Sequence, residues 1–277
     1  MSNKLRVVYN NAANRGTVTA SSTAGTLVAS NLLTDSKADT WRATGTSATI
    51  TIVFTTAEIV NTIVTPFANY TSGVTFRVKY YTNAADVSPV YDSTALSACA
   101  PVPLGLWDWG SVPLGVNAYS YGGASYGRLF TPTHTVKKIE LIISDSSNPS
   151  GYIEASRLVV GSYWEPNNDA ELSPQWVPIE TSTHTRNDAS DLVTDIGTLN
   201  KKLQITLPVM DASDRNAMMN VLRGNGMSRP IFLSLFPDDE DSTKEQHFQV
   251  YGKLSQQAGI TLPNWNLYNT TIEIEEA

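Results

Sequence analysis

Short segments in which apolar and polar residues alternate recur along the first half of this 277-residue chain. Such alternation is typical of half-buried strands. Clusters of Gly, Pro, Asn and Asp separate the segments, and helical periodicity is almost absent. Strands are predicted at residues 5–9, 48–54, 59–64, 74–81 and 136–143. The pattern therefore predicts a mainly β fold, with an antiparallel β-sandwich over residues 1–165.

The chain changes character after residues 165–169, whose sequence Glu-Pro-Asn-Asn-Asp indicates a linker or turn. Asp211 is a suitable N-cap, Asp214 lies in the first turn, and an apolar stripe follows, which predicts a helix over residues 212–223. Strands are predicted near residues 175–183, 199–208, 230–236, 247–254 and 268–274. We therefore expect residues 166–277 to form a small β-rich α+β module with one helix.

The composition excludes several classes of function. The net charge is −7 and no basic stripe is visible, so we expect no nucleic-acid partner. No apolar run is long enough for a membrane helix, and the N-terminus lacks the apolar core of a signal peptide, so we expect no membrane insertion. The single cysteine, Cys99, excludes an internal disulfide and a Cys-rich zinc site.

No motif that carries a catalytic mechanism is visible. Cys99 has no histidine near it in the sequence, and a nucleophile elbow, a phosphate loop and a zinc-protease helix are all missing. We therefore expect that the protein is not an enzyme, although a triad built from distant residues leaves no local motif. The acidic residues 238–241 are expected to form a solvated hairpin loop rather than a metal site.

Residues 31–43 contain an asparagine, two leucines and a short acidic turn before Trp41. This arrangement resembles the opening loop of discoidin-type (coagulation factor 5/8 C-type) sandwich modules. In those modules a strand such as residues 48–54 follows, and residues 152–158 resemble their closing strand. The resemblance implies a discoidin-like jelly roll for the N-terminal sandwich. We assign Trp41 to its core.

The same resemblance implies a possible calcium site near the acidic turn. Asp35, Asp39 and Thr44 would supply oxygen atoms, together with Glu154 from the last strand. Calcium takes about six to eight oxygen ligands, which a loop rich in carboxylates and carbonyls provides. The alternative is that Asp35 and Asp39 are turn residues that hydrogen-bond their own backbone. No other cofactor is expected.

Residues 101–130 are too rich in glycine and aromatic residues to form one strand, and we interpret them as a long excursion from the sandwich. The candidate glycan-binding or interface residues are Trp107, Asp108, Trp109, Tyr119, Tyr121, Tyr126 and Arg128. Trp and Tyr give a sugar large contact areas, and the same residue types dominate protein interfaces. A glycan site predicts that Trp107→Ala or Tyr121→Ala abolishes cell binding and leaves assembly intact, whereas an interface predicts the reverse.

Residues 156–164, 230–236 and 248–254 resemble segments of tail proteins from long-tailed bacteriophages, in which a discoidin-like sandwich precedes a small β-rich module. The resemblance implies a structural component of a tail tip or baseplate, made in the host cytoplasm and carried in the virion. Its partners would be other tail or baseplate proteins and further copies of the chain, in threefold or sixfold symmetry. The alternative is a carbohydrate-binding module that recognises a bacterial surface glycan.

Overall fold

The computed structural model describes residues 4–99, 125–168, 170, 174–197, 199–237, 242–265 and 267–277. The strands are, in chain order, β1 (Arg6–Val8), β2 (Gly16–Ala20), β3 (Trp41–Arg42), β4 (Ser47–Ala68), β5 (Thr75–Tyr81), β6 (Tyr91–Asp92), β7 (Leu96–Ser97), β8 (Ser125–Ser144), β9 (Glu154–Ala155), β10 (Val159–Gly161), β11 (Gln175–Glu180), β12 (Thr183–Arg186), β13 (Leu192–Asp195), β14 (Leu199–Met210), β15 (Ile231–Ser234), β16 (Gln249–Leu254), β17 (Ile260–Asn264) and β18 (Leu267–Glu276). The helices are α1 (Ala212–Gly224), α2 (Ser242–His247) and two short 3-10 helices, Ala12–Arg15 and Ala29–Leu33. The predicted mainly β, antiparallel fold is confirmed. Neither α-helix is long and apolar enough to cross a membrane.

Two long strands, β4 and β8, form the frame of the N-terminal sandwich. They pair antiparallel from Ser47 opposite Ser144 to Ala68 opposite Ser125, and the register shifts between Val53 and Glu58. Strands β2 and β5 extend the first half of this ribbon, while β9 and β10 join the second half. Because irregular register re-aims a strand, side chains from both halves meet in one hydrophobic core.

Trp41 lies in that core, as the sequence predicts. It is fully buried, and its indole N–H donates to the Ser22 carbonyl at 3.1 Å. The hydrogen bond satisfies the polar atom of an otherwise apolar side chain, which removes the cost of burying it. Trp41 is therefore a structural residue rather than a ligand-binding one.

The second sheet has the strand order β1-β15-β16-β18-β14-β11, with β17 paired to β18. Helix α1 packs Met218 and Val221 into a core that includes side chains from five of these strands. Phe232 and Tyr251 instead pack with Phe67 of the sandwich. The second sheet thus makes hydrophobic contact with α1 and also with the N-terminal sandwich.

The strand β1 belongs to the second sheet, although it precedes the sandwich in the chain. Val7 pairs with Leu233 of β15, and it also exchanges two backbone hydrogen bonds with Trp164, at 2.8 and 2.9 Å. An assignment of all of residues 1–165 to the sandwich therefore needs one adjustment, because residues 6–8 complete the other sheet. The division near residue 165 itself stays a prediction.

The capped helix is confirmed, and a second helix accompanies it. The Asp211 carboxylate accepts hydrogen bonds from the backbone N–H groups of Ser213 and Asp214, both at 2.8 Å, and α1 begins at the next residue. Helix α2 (Ser242–His247) was not predicted, because the sequence assigns its first five residues to a loop and His247 to the following strand; the described part of the module therefore contains two α-helices. The acidic residues 238–241 lie outside the described residues.

A hairpin of β12 and β13 extends from the second sheet between β11 and β14. Among the described strands, β12 and β13 pair only with each other, and all eight of their residues are exposed. The strands were not predicted, since their sequence is polar and alternates weakly.

Candidate functional site

Most of the aromatic site predicted from the sequence lies outside the described residues. The residues concerned are Trp107, Asp108, Trp109, Tyr119 and Tyr121, and their role stays a prediction. Tyr126 and Arg128, at the start of β8, are described. Tyr126 is 4% exposed, and Arg128 forms an ion pair with Glu245 of α2. Both side chains therefore contact the C-terminal part of the same chain.

The hydroxyl of Tyr126 joins the sandwich to the second sheet. It donates to Oε1 of Glu276 at 2.6 Å and accepts from the backbone N–H of Tyr251 at 3.3 Å. Its ring packs edge-on against Phe67, with centroids 5.6 Å apart. Burial and the charge of Glu276 raise the pKa of Tyr126 well above its usual value, so the phenol remains a proton donor.

Lys201 completes this buried polar group. Its Nζ lies 4.5 Å from the centroid of the Tyr126 ring and 4.0 Å from Oε1 of Glu276. Burial lowers the pKa of Lys201 to about 8, although the carboxylate of Glu276 acts in the opposite direction. Tyr126, Lys201 and Glu276 therefore connect β8, β14 and β18. Because all three residues are buried, we assign them a structural role.

Two of the carboxylates assigned to calcium have cationic partners. Asp35 lies 3.2 Å from the guanidinium of Arg157, and Glu154 accepts from Nε of Arg42 at 2.6 Å. Glu154 and Arg42 are also opposite each other in the β3–β9 pair. These contacts neutralise the negative charges that would attract a cation.

Asp39 and Thr44 make local contacts. The backbone N–H of Asp39 donates to the Ser36 carbonyl at 3.3 Å, and Oγ1 of Thr44 lies 3.2 Å from Oγ of Ser22. Within the described ranges, no three His, Cys, Asp or Glu side chains are grouped so that they could hold a metal ion. As arranged, the predicted residues do not form the oxygen cage that calcium requires, and calcium binding there stays a prediction.

A polar cleft, which we call the junction cleft, lies where the sandwich meets the second sheet. Its cavity volume is about 620 Å³, inside the range of about 300–1,000 Å³ that is common for small-ligand sites. Its lining consists of Tyr9, Asn10, Asn11, Asn14, Arg15, Asp35, Arg157, Asn220, Gly224, Asn225, Arg229, Pro230 and Tyr251. Amide and guanidinium side chains dominate this lining.

Arg157 organises the buried side of the junction cleft. Its Nε donates to the Tyr251 hydroxyl at 2.8 Å, and its terminal nitrogens donate to the Thr34 carbonyl and to Oδ1 of Asn14, both at 3.1 Å. Its side chain is 4% exposed and its charge is balanced by Asp35. Burial raises the pKa of Tyr251 to about 12, with Arg157 opposing the shift. The floor of the cleft is thus fixed and nearly neutral.

The rim of the junction cleft contains Arg15, which is paired, and the exposed residues Asn220 and Arg229. Arg15 is paired with Glu58 at 2.7 and 2.8 Å and donates to Oδ1 of Asn10 at 2.7 Å. Asn220 and Arg229 are exposed, and the structure gives their side chains no hydrogen bond or ion pair with a described residue. Their donors and acceptors therefore remain available to a ligand.

Tyr9 adds a half-buried aromatic ring to this lining. A primary amide both donates and accepts hydrogen bonds, which matches the dual character of a sugar hydroxyl. Because two of the three arginines are paired with carboxylates, the cleft carries little net charge. Its chemistry suits a polyhydroxylated ligand better than a strongly anionic one.

Sequence reasoning missed the junction cleft because its residues come from five distant parts of the chain. Asn10, Asn11 and Asn14 are close together in the sequence, and this asparagine cluster is the one local signal. Asn11, however, is structural: its side chain donates to the Leu158 carbonyl and accepts from the N–H of Val160. The cluster alone does not identify a site.

No protein-family model matches the chain, and no curated protein matches it. Several solved structures resemble its fold. A chitosan-binding module from a chitosanase/glucanase of Paenibacillus sp. IK-5 has a TM-score of 0.38 and 14% identity, covering 55% of this chain and 99% of the module. A CBM32 module from Clostridium perfringens, bound to GalNAc-β-1,3-galactose, has a TM-score of 0.38 and 11% identity, covering 54% and 97%.

The CBM32 module of AlyQ, bound to 4,5-unsaturated mannuronic acid, has a TM-score of 0.36 and 18% identity, covering 55% of this chain and 95% of the module. These structural neighbours are carbohydrate-binding modules with a discoidin-like β-sandwich. At TM-scores of this size the similarity does not identify a ligand or an activity for this chain. None of the matches described here supports the predicted phage-tail identity, which rests on the sequence resemblance.

Proposed function

We propose that this protein binds a carbohydrate in the junction cleft and does not act on it chemically. The observation that carries the proposal is that the Asn220 amide and the Arg229 guanidinium, neither of which is paired with a described residue, line one cleft together with the Tyr9 ring. Ligand sites often lie at such junctions between structural units. The fixed floor built on Arg157 means that a ligand meets a preformed surface, which lowers the entropic cost of binding.

Two rim residues are assigned to ligand contact. Asn220 lies on the last turns of α1 and is directed to the cleft by the helix, while Arg229 follows the turn after α1. An amide hydrogen bond contributes about 1 kcal/mol, and one from a charged group about 1.5–3 kcal/mol. Removing Asn220 should thus weaken binding about fivefold, and removing Arg229 at least about tenfold.

The test is isothermal titration of the full chain with soluble oligosaccharides. The first panel contains chitosan oligosaccharides, GalNAc-β-1,3-galactose and mannuronic-acid oligosaccharides, which are chemically diverse, together with oligosaccharides released from bacterial surfaces. For whichever sugar binds, Asn220→Ala and Arg229→Ala should lower the affinity by the factors given above.

Matched controls come from the same helix. Asn216 and Arg223 are exposed on α1 and do not line the cleft, so Asn216→Ala and Arg223→Ala should leave the affinity unchanged. If a sugar binds all four variants with the same affinity, its binding site is not in the junction cleft. Absence of binding across the panel would count against the carbohydrate function itself.

A second candidate function is assembly into a repeated structure, such as the predicted phage tail tip or baseplate. Specific exposed residues favour it: Ile196 beside β13 is 85% exposed and Trp265 in the β17–β18 turn is 94% exposed. Large apolar side chains grouped on a surface mark protein interfaces. Immunogold electron microscopy of virus particles from the source lysate tests the location. Gold at the tail tip supports the assembly function, and unlabelled particles contradict it.

A further inference from the structure

The second sheet carries exposed apolar groups at both ends of β14. One group lies on the segment that contains β12 and β13, which we call the arm (residues 181–197). The other lies at the turn between β17 and β18, which we call the tip (residues 262–265 and 267). Leu199 pairs with Glu180 at the arm end, and Met210 pairs with Tyr268 at the tip end. At ~3.3 Å per residue the two ends of β14 are roughly 35 Å apart.

The arm is an ordered hairpin that lacks a core of its own. Its strands are joined by a contact of 2.9 Å between Nδ1 of His184 and Oγ1 of Thr194, and its base is closed by Gly197, whose N–H donates to Oγ of Ser182 at 2.9 Å. The exposed aliphatic side chains are Leu192 at 56%, Val193 at 50% and Ile196 at 85%. An isolated two-stranded hairpin is marginally stable in water, so burial of these side chains against a partner would stabilise it.

The tip combines apolar exposure with an absence of charge. Trp265 is 94% exposed, Leu262 56% and Leu267 40%. Residues 255–272 contain no Asp, Glu, Lys or Arg. Depletion of charge together with an exposed aromatic residue is the composition found at the centre of protein interfaces.

We propose that copies of this chain associate head to tail, with the arm of one copy packed on the tip of the next. The inference deepens the assembly function and does not depend on glycan binding. The arm carries three aspartates against one arginine, so two arms that face each other would repel, whereas the uncharged tip meets the arm without that cost. One contact of this kind covers both apolar groups of every copy except at free ends.

A head-to-tail contact has a definite consequence for assembly. Because the arm and the tip lie at opposite ends of one sheet, each copy contacts two neighbours. The row of copies closes into a ring if the rotation between successive copies allows closure. A twofold contact of arm on arm or tip on tip would instead stop at a dimer.

The experiment measures the mass of the full chain in solution by light scattering after gel filtration. The wild type should form oligomers larger than a dimer, while Ile196→Asp and Trp265→Ser should each be monomeric. Both side chains are exposed, so the substitutions should leave the fold intact, which circular dichroism checks. Val87, 91% exposed on the sandwich, supplies the control: Val87→Asp should keep the wild-type mass.

An equimolar mixture of the two variants gives the sharpest result. The arm of the Trp265→Ser copy and the tip of the Ile196→Asp copy are both intact, so the mixture should form dimers and nothing larger. A monomeric wild type, a mixture that stays monomeric, or an Ile196→Asp variant that still dimerises would each overturn the head-to-tail contact. Wild-type oligomers that neither variant weakens would overturn this contact and leave the assembly function standing.

Discussion

The hydroxyl of Tyr126 contributes to the contact between the sandwich and the second sheet. A single substitution, Tyr126→Phe, removes this hydroxyl and nothing else. Tyr126→Phe keeps the ring against Phe67 and under the Lys201 ammonium. It removes the donor to Glu276, whose side chain is 5% exposed, and an acceptor for the Tyr251 N–H. Since a hydrogen bond to a charged group contributes about 1.5–3 kcal/mol, we expect the free energy of unfolding to fall by about 2 kcal/mol.

Equilibrium urea unfolding followed by tryptophan fluorescence measures this loss. The midpoint should fall while the slope stays constant, because the area buried on folding is unchanged. Tyr163→Phe is the matched control: Tyr163 packs in the same contact region, and the structure gives its hydroxyl no hydrogen bond with a described residue. A loss below about 0.5 kcal/mol for Tyr126→Phe, the scatter of ordinary surface substitutions, would refute the reasoning.

A double-mutant cycle assigns the loss to the pair of groups. Glu276→Gln keeps an acceptor near Tyr126 and removes its charge. If the hydroxyl acts through Glu276, the two substitutions should be non-additive by at least about 0.5 kcal/mol. Additive losses would mean that the Tyr126 hydroxyl stabilises the fold through another partner.

Two further predictions concern buried positions of the second sheet. Burial lowers the pKa of Lys201 to about 8, so the Lys201 side chain binds a proton more tightly in the unfolded chain than in the folded one. The free energy of unfolding should therefore rise by at least about 1 kcal/mol as the pH increases from ~8 to ~10. Urea midpoints across this pH range measure the rise, and Lys201→Met should abolish it; an equal rise in the variant contradicts the assignment. Gly252→Ala places a methyl group against the Glu275 carbonyl of the neighbouring strand and should cost about 3 kcal/mol by thermal unfolding. Gly259→Ala, where a methyl group meets no atom within 4 Å, is its control, and equal stability of the two variants contradicts the close packing of the strands.

Local signals in the sequence predicted local features of the fold. The cap of α1 was predictable because Asp211 and the amides that it binds lie within three residues of each other. The buried position of Trp41 was predicted together with the resemblance of residues 31–43 to the opening loop of discoidin-type modules, not from apolar neighbours in the sequence. Helix α2 was missed because six residues are too few to show an apolar stripe.

The alternation of residues predicted strands but not their continuity. Residues 48–54 and 59–64 were predicted as two strands, whereas β4 runs unbroken from Ser47 to Ala68. The alternation stops near Thr55 and Thr56, which are exposed where the register against β8 shifts. A register shift has no signature in one strand alone, since it depends on the partner strand.

The candidate site was the least predictable part. Tyr126 and Arg128 were predicted as glycan-binding or interface residues. Their partners in the structure, Glu276 and Glu245, lie more than a hundred residues away in the sequence. The junction cleft forms only when α1 and β16 pack beside the loop of Arg157. Hydrogen bonds and cavities between distant segments depend on the tertiary fold, which spacing along one sequence does not reveal.

The placement of β1 has a consequence for how this chain is made and divided. Residues 6–8 leave the ribosome long before their partners in β15, which are more than two hundred residues further along the chain, so β1 can join the second sheet only after β15 has been made. Until then, the bridge to Trp164 offers β1 a place on the side of the sandwich. A fragment that begins at residue 166 lacks this strand and leaves the apolar β15 (Ile231–Ser234) as an open edge, which invites pairing between molecules. Expression of the second module by itself should therefore retain residues 4–9, joined through a linker, to remain monodisperse.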